Sequence, residues 1–259
     1  MTSRAGIRLF VQAPLDAGVS LIMEDRHVHY LRNVMRKSEG DRIELFNGRD
    51  GEWRARIAVL DRRGGSFMVE KLTHEQTPED GPWLLVAAIK RAKLEMIIEK
   101  ATELGAARIC PVSTLRTNNE RLNRERLANI AIEAAEQCAR LTVPEIADVV
   151  SLKVLLQEWP FDRRLYLLDE TGGGTPIAEA FAAHPNEQRG ALLIGPEGGF
   201  DQSELDAMRI LPFVNALDLG KRILRAETAA LAALACYQAI AGDGAKNGGR
   251  SPGQPEAAT

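Results

Sequence analysis

The sequence of 259 residues has few of the features that are typical of secreted or membrane-bound proteins. Its three cysteines, Cys110, Cys138 and Cys236, are far apart in apolar settings, which argues against a disulfide framework or a zinc site and for a reducing compartment. No apolar run reaches the roughly 18 residues of a membrane span, and no apolar stretch follows Met1–Arg4 as in a secretory signal. We therefore expect a cytoplasmic protein without a metal or a membrane partner.

Aromatic residues are also scarce, at 5%, whereas 45% of the residues are hydrophobic. The core is therefore predicted to consist mostly of Leu, Ile, Val and Ala, and the composition is not that of a disordered chain. The net charge of −3 is unevenly spread, because residues 1–72 carry 13 basic and 10 acidic side chains and residues 73–259 carry 20 and 26. The basic part is compatible with binding nucleic acid, and an ordinary solvated surface is the alternative.

Residues 1–72 are predicted to form a small, mostly β domain. Several short strands accompany one helix, a pattern typical of a small barrel. The predicted strands are Arg8–Val11, a hairpin with arms 43–45 and 53–57 around Asn47–Gly51, and 67–69 after Gly64 and Gly65; the predicted helix is Asp25–Lys37, ended by Gly40. The polar, proline-containing residues 73–82 are the predicted linker.

From Trp83 onwards, apolar strands alternate with helices, which indicates a parallel sheet covered on both faces. The predicted strands are 84–89, 109–112, 165–168, 192–194 and 214–219, and the predicted helices are 94–104, 124–140 and 226–240. The Gly-, Pro- and Ala-rich residues 242–259 are predicted to be a disordered tail.

Two glycine-containing segments near the C-terminus are the strongest candidates for a site. In the first, strand Leu192–Ile194 runs into Gly195–Phe200. Asp201 is then a predicted N-cap with Glu204 at N3. The loop lacks the Gly-Lys-Ser/Thr of a Walker loop and the G-x-G-x-x-G of a dinucleotide turn. A plain tight turn is the alternative, but neither propensity nor packing requires a carboxylate at Glu197.

In the second segment, strand Leu217–Leu219 is followed by Gly220 and by three basic residues, Lys221, Arg222 and Arg225. Ile223 and Leu224 are apolar residues in a predicted loop, where they would line a slot for a flat ring. The alternative is a basic loop packed on a neighbouring helix. Because parallel strands place their carboxyl ends at one edge of the sheet, the two loops are predicted to lie together.

Other polar groups are weaker candidates. Glu133, Glu136, Gln137 and Arg140 share one face of a predicted helix, where acid–base work and a salt-bridged surface are both open. His27 and His29 would lie on different faces of a helix without a third ligand, so they are not predicted to hold a metal. Arg32 and Arg36 are spaced to contact phosphates.

These segments resemble the RsmE-type family of 16S ribosomal RNA uridine-N3 methyltransferases in the SPOUT superfamily. The resemblance covers residues 4–241 and is most specific in Ile194–Phe200 and Leu219–Ala229. Further matching segments are Arg8–Val11, His29–Leu31, Val34–Arg36, Gly40–Asp41, Glu99–Gly105 and Glu133–Arg140. Met35 stands where the family usually has Leu, and Thr117 where Ser is usual.

The resemblance implies an α/β fold in which a trefoil-knotted parallel sheet, with helices on both faces, follows a PUA-like barrel that binds RNA. It further implies S-adenosylmethionine as cofactor, a homodimer, and methylation of N3 of uridine 1498 of 16S rRNA in the small ribosomal subunit. Its implied cofactor-binding residues are Leu168, Leu193, Ile194, Gly195, Glu197, Gly199, Leu219, Gly220, Ile223, Leu224, Arg225 and Thr228. The candidate catalytic residues are Arg225, Glu197 and Arg222, and the candidate RNA contacts are Arg8, His29, Arg32, Arg36, Arg116 and Arg140.

Three alternatives stay open from the sequence. One is a non-catalytic RNA-binding assembly factor, against which the intact cofactor loops argue. Another is a related enzyme that acts on transfer RNA or on a different ribosomal position. The third is a small-molecule enzyme, which a shallow salt dependence of RNA binding would favour.

Overall fold

The computed structural model describes residues 6–117, 122–160, 162–184 and 189–245. The chain forms two compact units. Unit 1 contains residues 1–79 together with 131–143, and unit 2 contains residues 80–130 and 144–259. The predicted boundaries at residues 72 and 83 therefore miss the segment 131–143, which groups with the N-terminal residues.

Unit 1 is built around a five-stranded sheet of order β1-β3-β4-β5-β2. Its elements are β1 (Arg8–Phe10), β2 (Ser20–Ile22), α1 (Asp25–His29), β3 (Arg42–Phe46), β4 (Glu52–Leu60) and β5 (Gly65–His74). The pair β1–β3 is parallel and the other pairs are antiparallel. Alternate residues such as Ile43, Leu45, Ile57 and Phe67 are fully buried in one core, as expected of a strand with one face inward.

The structure changes two predictions in this unit. The predicted helix Asp25–Lys37 is an α-helix only to His29, continues as a π-helical turn over Tyr30–Val34, and ends near Arg36, whose φ is +52°. The predicted linker begins too early, because Glu52 pairs with His74 and extends β5 beyond residue 72.

Unit 2 contains an eight-stranded sheet with the principal order β11-β13-β10-β12-β6-β7-β8, in which β9 also pairs with β7. Every pairing in it is parallel. The strands are β6 (Trp83–Ala87), β7 (Arg108–Ser113), β8 (Glu145–Ile146), β9 (Val150–Ser151), β10 (Arg164–Leu168), β11 (Thr175–Pro176), β12 (Gly190–Ile194) and β13 (Val214–Asp218). Its helices are α2 (Arg91–Glu103), α4 (Leu152–Gln157), α5 (Ile177–Ala182), α6 (Gln202–Arg209) and α7 (Ala226–Ile240). Helix α3 (Arg124–Cys138) begins in unit 2, and its residues 131–138 group with unit 1.

Helices cover both faces of the unit 2 sheet, as predicted. On one face, Leu165 and Leu193 share a core with Leu152 of α4 and Leu205 of α6. On the other face, α7 packs on β12 and against α2 and α5, and Tyr166, Phe181 and Tyr237 stack edge to face. Central strands are therefore buried on both sides, which explains their continuous apolar sequences.

Helix α3 ends earlier than predicted. Ala139 has a φ of +64°, so Arg140 lies beyond the helix and does not share a face with Glu133, Glu136 and Gln137. Positive φ costs energy for a residue with a side chain, and contacts made by Arg140 hold the turn in place. Its guanidinium donates to Glu79 Oε2 at 2.8 Å and to Thr142 Oγ1 at 3.1 Å.

The C-terminal residues are described only to Ala245. Asp243–Ala245 form one 3₁₀ turn, and the rest of the predicted tail lies outside the described residues. Within the part of the chain that the structure describes, the helices are too short or too polar to cross a membrane.

Candidate functional site

Three loops that follow or contain predicted cofactor residues lie at one edge of the unit 2 sheet. Strands β13, β10 and β12 are direct neighbours and run parallel. The loops after Leu168, Ile194 and Asp218 therefore leave the sheet side by side at its carboxyl edge. Open α/β sheets bind their ligands at this edge.

A cavity of about 270 Å³ opens between the first and third loops. Five of the predicted cofactor residues line it: Leu168, Leu219, Gly220, Ile223 and Leu224. The candidate catalytic residue Arg222 lines it as well. Lining residues that were not predicted to bind the cofactor are Asp169, Glu170, Thr171, Gly172, Leu217, Asp218, Lys221 and Ala229. The other predicted cofactor residues lie outside this lining. Leu193 and Ile194, for example, are buried in β12, and Thr228 belongs to the first turns of α7.

The glycine loop, Gly195–Phe200, is held in a defined conformation. Gly199 has a φ of +70° and donates to Pro196 O at 2.9 Å. Phe200 N donates to Glu170 Oε1 at 2.9 Å, which ties this loop to the cavity wall. The positive φ favours glycine at this position, and a Cβ at Gly199 would displace the Glu170 carboxylate.

The predicted helix start after this loop is confirmed. Asp201 accepts from Ser203 N at 3.0 Å and donates its own N–H to Glu204 Oε2 at 3.1 Å, a capping box. Hydrogen bonds from Ser203, together with the guanidinium of Arg116, hold the pKa of the Asp201 carboxyl below its usual value. The carboxylate is therefore charged at neutral pH, which favours the N-terminus of α6.

A buried ion pair fixes the cavity wall after β10. Asp169 has a fully buried side chain and pairs with Arg209 at 2.5 Å, while its other oxygen accepts from Thr171. Burial alone would raise the pKa of Asp169, but the hydrogen bonds from Thr171 and Arg209 outweigh it and lower the pKa. Sequence reasoning missed this pair; its only signal was a charged residue directly after a buried strand.

Glu197 lies beside a basic side chain that the sequence analysis did not select. Lys93 Nζ is 3.4 Å from Glu197 Oε1 and 3.7 Å from Glu227 Oε2. Lys93 thus joins the glycine loop to the first turn of α7. Arg222 and Arg225 are both exposed, with Arg225 at the N-cap position of α7, so their guanidinium groups are accessible to a substrate.

Ile223 is an exposed apolar residue that lines the cavity. It is 89% exposed and lies between Arg222 and Leu224. Gly220, with a φ of +98°, starts this loop and donates to Asp218 Oδ1 at 2.7 Å. A single exposed apolar side chain is common on protein surfaces, so the link between Ile223 and the site rests on its place in the lining of the cavity.

The predicted RNA contacts fall into two groups. Arg8 pairs with Glu52 and donates to the carbonyls of Ala135 and Arg140, so its guanidinium is engaged inside unit 1, as is that of Arg140. These contacts give Arg8 and Arg140 a structural role and do not support the predicted contact with RNA. The remaining candidates are not buried and stay predictions: His29, Arg32, Arg36 and Arg116.

Comparison with known proteins agrees with this architecture. The family model described as RNA methyltransferase domain matches residues 79–238, and the RNA methyltransferase PUA domain matches residues 24–66. The protein named ribosomal RNA small subunit methyltransferase E from Rickettsia conorii is 32% identical over 88% of this chain and 93% of its own length. The protein of the same name from Bacillus subtilis is 34% identical, over 80% and 85%.

Two solved structures share the fold over nearly the whole chain. A methyltransferase from Legionella pneumophila in complex with S-adenosylmethionine has a TM-score of 0.80 and 29% identity, covering 90% of this chain and 97% of that one. Ribosomal RNA small subunit methyltransferase E from Neisseria gonorrhoeae, bound to S-adenosylmethionine, has a TM-score of 0.78 and 27% identity, covering 91% and 98%.

A PUA-type unit followed by an α/β unit with a cavity at its carboxyl edge defines an RNA methyltransferase of the SPOUT type. This chain belongs to the family of ribosomal RNA small subunit methyltransferase E.

Proposed function

We propose that this protein transfers a methyl group from S-adenosylmethionine to N3 of one uridine, position 1498, of 16S rRNA. Family membership supports the reaction class, and the cavity between the loops after Leu168 and Asp218 carries the proposal for this chain. We further propose that it works as a homodimer in the cytoplasm.

The residues around the cavity fit this cofactor. Carboxylates of Glu170 and Asp218 line it and would favour a cationic sulfonium and ribose hydroxyls. Leu219, Ile223 and Leu224 supply the apolar surface that a flat adenine ring needs. Backbone groups of the loop around Gly220, which has no neighbour in the direction of a Cβ, are open to approach by a ligand.

The reaction requires the protein to activate a poor nucleophile. S-adenosylmethionine supplies an electrophilic methyl group; a bond forms from uridine N3 to that carbon as the carbon–sulfur bond breaks. The N3 proton must leave, so the site needs a base or cations that stabilise the uridine anion. The exposed Arg225 and Arg222 are proposed to face the uracil oxygens, and Glu197 to orient the base or accept the proton.

Unit 1 is the proposed RNA-binding part. Its exposed basic residues, including Arg36, would contact phosphates, and the target base must be single-stranded or flipped out. The family's homodimer would let each subunit bind the RNA that is modified in its partner's site.

The decisive experiment uses 30S particles from cells that lack the endogenous enzyme. The particles are incubated with purified protein and methyl-labelled S-adenosylmethionine, and the modified nucleoside is identified by mass and mapped. One N3-methyluridine at position 1498 is expected. Methyl transfer to another position would contradict the proposed specificity, while cofactor binding without transfer would favour a non-catalytic binder.

A further inference from the structure

Arg116 lies in the turn that follows β7, far from the glycine loop in sequence but in contact with it. Its Nη1 donates to Gly198 O at 3.2 Å, and its Nη2 donates to Asp201 Oδ2 at 3.1 Å. One guanidinium therefore binds both a carbonyl inside the glycine loop and the carboxylate that caps α6. Two such contacts from a planar fork restrain orientation as well as distance.

A second hydrogen bond joins the same two segments. Leu115 N donates to Glu204 Oε1 at 2.9 Å, while the other oxygen of Glu204 accepts from Asp201 N. The Glu204 carboxylate thus accepts hydrogen bonds from two partners at once. Three hydrogen bonds from Arg116 and Leu115 therefore attach the turn, one to the glycine loop and two to the start of α6.

The turn is itself internally fixed. Thr114 N donates to Thr117 Oγ1 at 3.0 Å, and Thr117 Oγ1 donates to Thr114 O at 2.9 Å. The side chain of Thr117 therefore closes the turn around Arg116. A turn closed in this way is a suitable support for a loop that contains two adjacent glycines.

The glycine loop is held from its other side by Glu170, which accepts from Phe200 N and lines the cavity. A displacement of the loop away from Arg116 would therefore move a group attached to the cavity wall. Glycine-rich loops lose much conformational entropy on ordering. A loop ordered before the ligand arrives lowers the cost of binding.

We propose that Arg116 is a positioning residue that orders the glycine loop for the cofactor, rather than a contact to RNA. The inference rests on the proposed function for the identity of the cofactor. It replaces the RNA role predicted for Arg116 from the sequence, because about half of its side chain is covered and its two η nitrogens are engaged by Gly198 and Asp201.

The test compares Arg116→Ala and Arg116→Lys with the wild-type chain. Calorimetry measures the Kd for S-adenosylmethionine, and titration at several salt concentrations measures the affinity for 16S rRNA fragments. Arg116→Ala is expected to weaken cofactor binding about five- to tenfold and to raise the KM for cofactor, with RNA affinity within about twofold. Lysine keeps a charge but lacks the fork, so Arg116→Lys is expected to recover part of the affinity.

Arg189→Ala is the matched control, since Arg189 is an exposed arginine that pairs with Asp162. It is expected to leave every measured quantity unchanged. Hydrogen exchange of the peptide containing residues 195–201, without cofactor, should be faster in Arg116→Ala than in Arg189→Ala. This readout does not depend on the cofactor's identity.

Two results would overturn the inference. Unchanged cofactor binding with weaker RNA binding and a salt slope reduced by about one would identify a phosphate contact. Unchanged exchange and unchanged cofactor affinity would show that Arg116 does not order the loop. A wild-type chain that binds no S-adenosylmethionine would instead contradict the proposed function, while the exchange experiment would still report on the loop.

Discussion

At the scale of single residues, Gly199 shows how much the candidate site depends on one position. Its φ of +70° lies in the region that L-residues rarely adopt. The Glu170 carboxylate also occupies the place where a Cβ would lie. Gly198, the preceding residue, has neither a positive φ nor any heavy atom near a Cβ. The two adjacent glycines therefore have different reasons to be there.

We predict that Gly199→Ala raises the Kd for S-adenosylmethionine at least tenfold. The substitution strains the backbone and displaces Glu170 from the amide of Phe200. It is expected to cost about 1–3 kcal/mol of stability. Gly198→Ala is the control and should bind the cofactor nearly as the wild type does. Equal affinities for the two variants, measured by calorimetry, would contradict this account of the loop.

His27 is a residue-scale determinant of the pH dependence of stability. It is 3% exposed and its ring lies beside Phe67, with 6.2 Å between centroids. Burial, aided by the charge of Arg26, lowers the pKa of His27 to about 4. The unfolded chain therefore takes up a proton below about pH 6.5 that the folded chain rejects, so stability falls as the pH drops from 6.5 towards 4.

We expect the wild-type chain to lose about 2 kcal/mol more stability than His27→Leu between pH 7.5 and pH 5. Denaturant unfolding of both proteins at the two pH values measures this difference. Leucine removes the titrating group and keeps an apolar side chain against Phe67. The same pH dependence in both proteins would show that His27 does not contribute.

At the scale of elements, the strands determine where an irregular segment begins, and side-chain contacts hold that segment in its conformation. The loop after β10 is held by Asp169, which binds Arg209 and Thr171. In unit 1, Arg8 of β1 donates to carbonyls at the end of α3, and Phe10 N donates to Glu136 Oε1 at 2.9 Å. Burial raises the pKa of Glu136. These contacts explain why residues 131–143 group with the N-terminal strands.

We predict that Arg209→Ala destabilises the chain by about 2–4 kcal/mol, because it leaves the buried Asp169 carboxylate without its cationic partner. Adding Asp169→Asn should recover part of this loss, since the amide carries no charge. Thermal or denaturant unfolding of the single and double variants measures the coupling. Additive losses would mean that the two side chains do not act as a pair.

At the scale of the whole molecule, the two units divide the proposed work. Residues 1–72 carry 13 basic and 10 acidic side chains, so the attraction for RNA is expected to come from the exposed basic residues of this part of unit 1. In unit 2, the loops after two neighbouring parallel strands, β10 and β13, line the cavity that is proposed to hold the cofactor. The proposed function requires both units, because neither charge nor cavity alone would select one uridine.

We expect RNA affinity to fall steeply with salt, and Arg36→Ala to reduce the slope of log K against log salt by about one. Arg36 is exposed on unit 1. Arg42→Ala is the control, since Arg42 is an exposed arginine of the same unit that pairs with Glu70. Titration with 16S rRNA fragments measures both slopes. Identical slopes for the two variants would remove Arg36 from the RNA surface.

Much of the regular structure could be predicted because it depends on local patterns. The span of α7 agrees with its prediction, and the capping box at Asp201 was evident from spacing alone. Short elements such as β2 and β9 were missed, since two or three residues carry too little periodicity. The end of α3 was predicted too late because no local sequence pattern indicates the positive φ of Ala139.

The sequence by itself determined the alternation of buried strands and helices, the glycine loop and the family, because these follow from periodicity, turn chemistry and motif spacing. Only the tertiary structure decided which distant groups meet. Arg8 and Arg140 make structural contacts within unit 1, Arg116 binds the glycine loop, and Asp169 pairs with Arg209. The physical reason is that a side chain's partner depends on strand order and register, which no local pattern encodes.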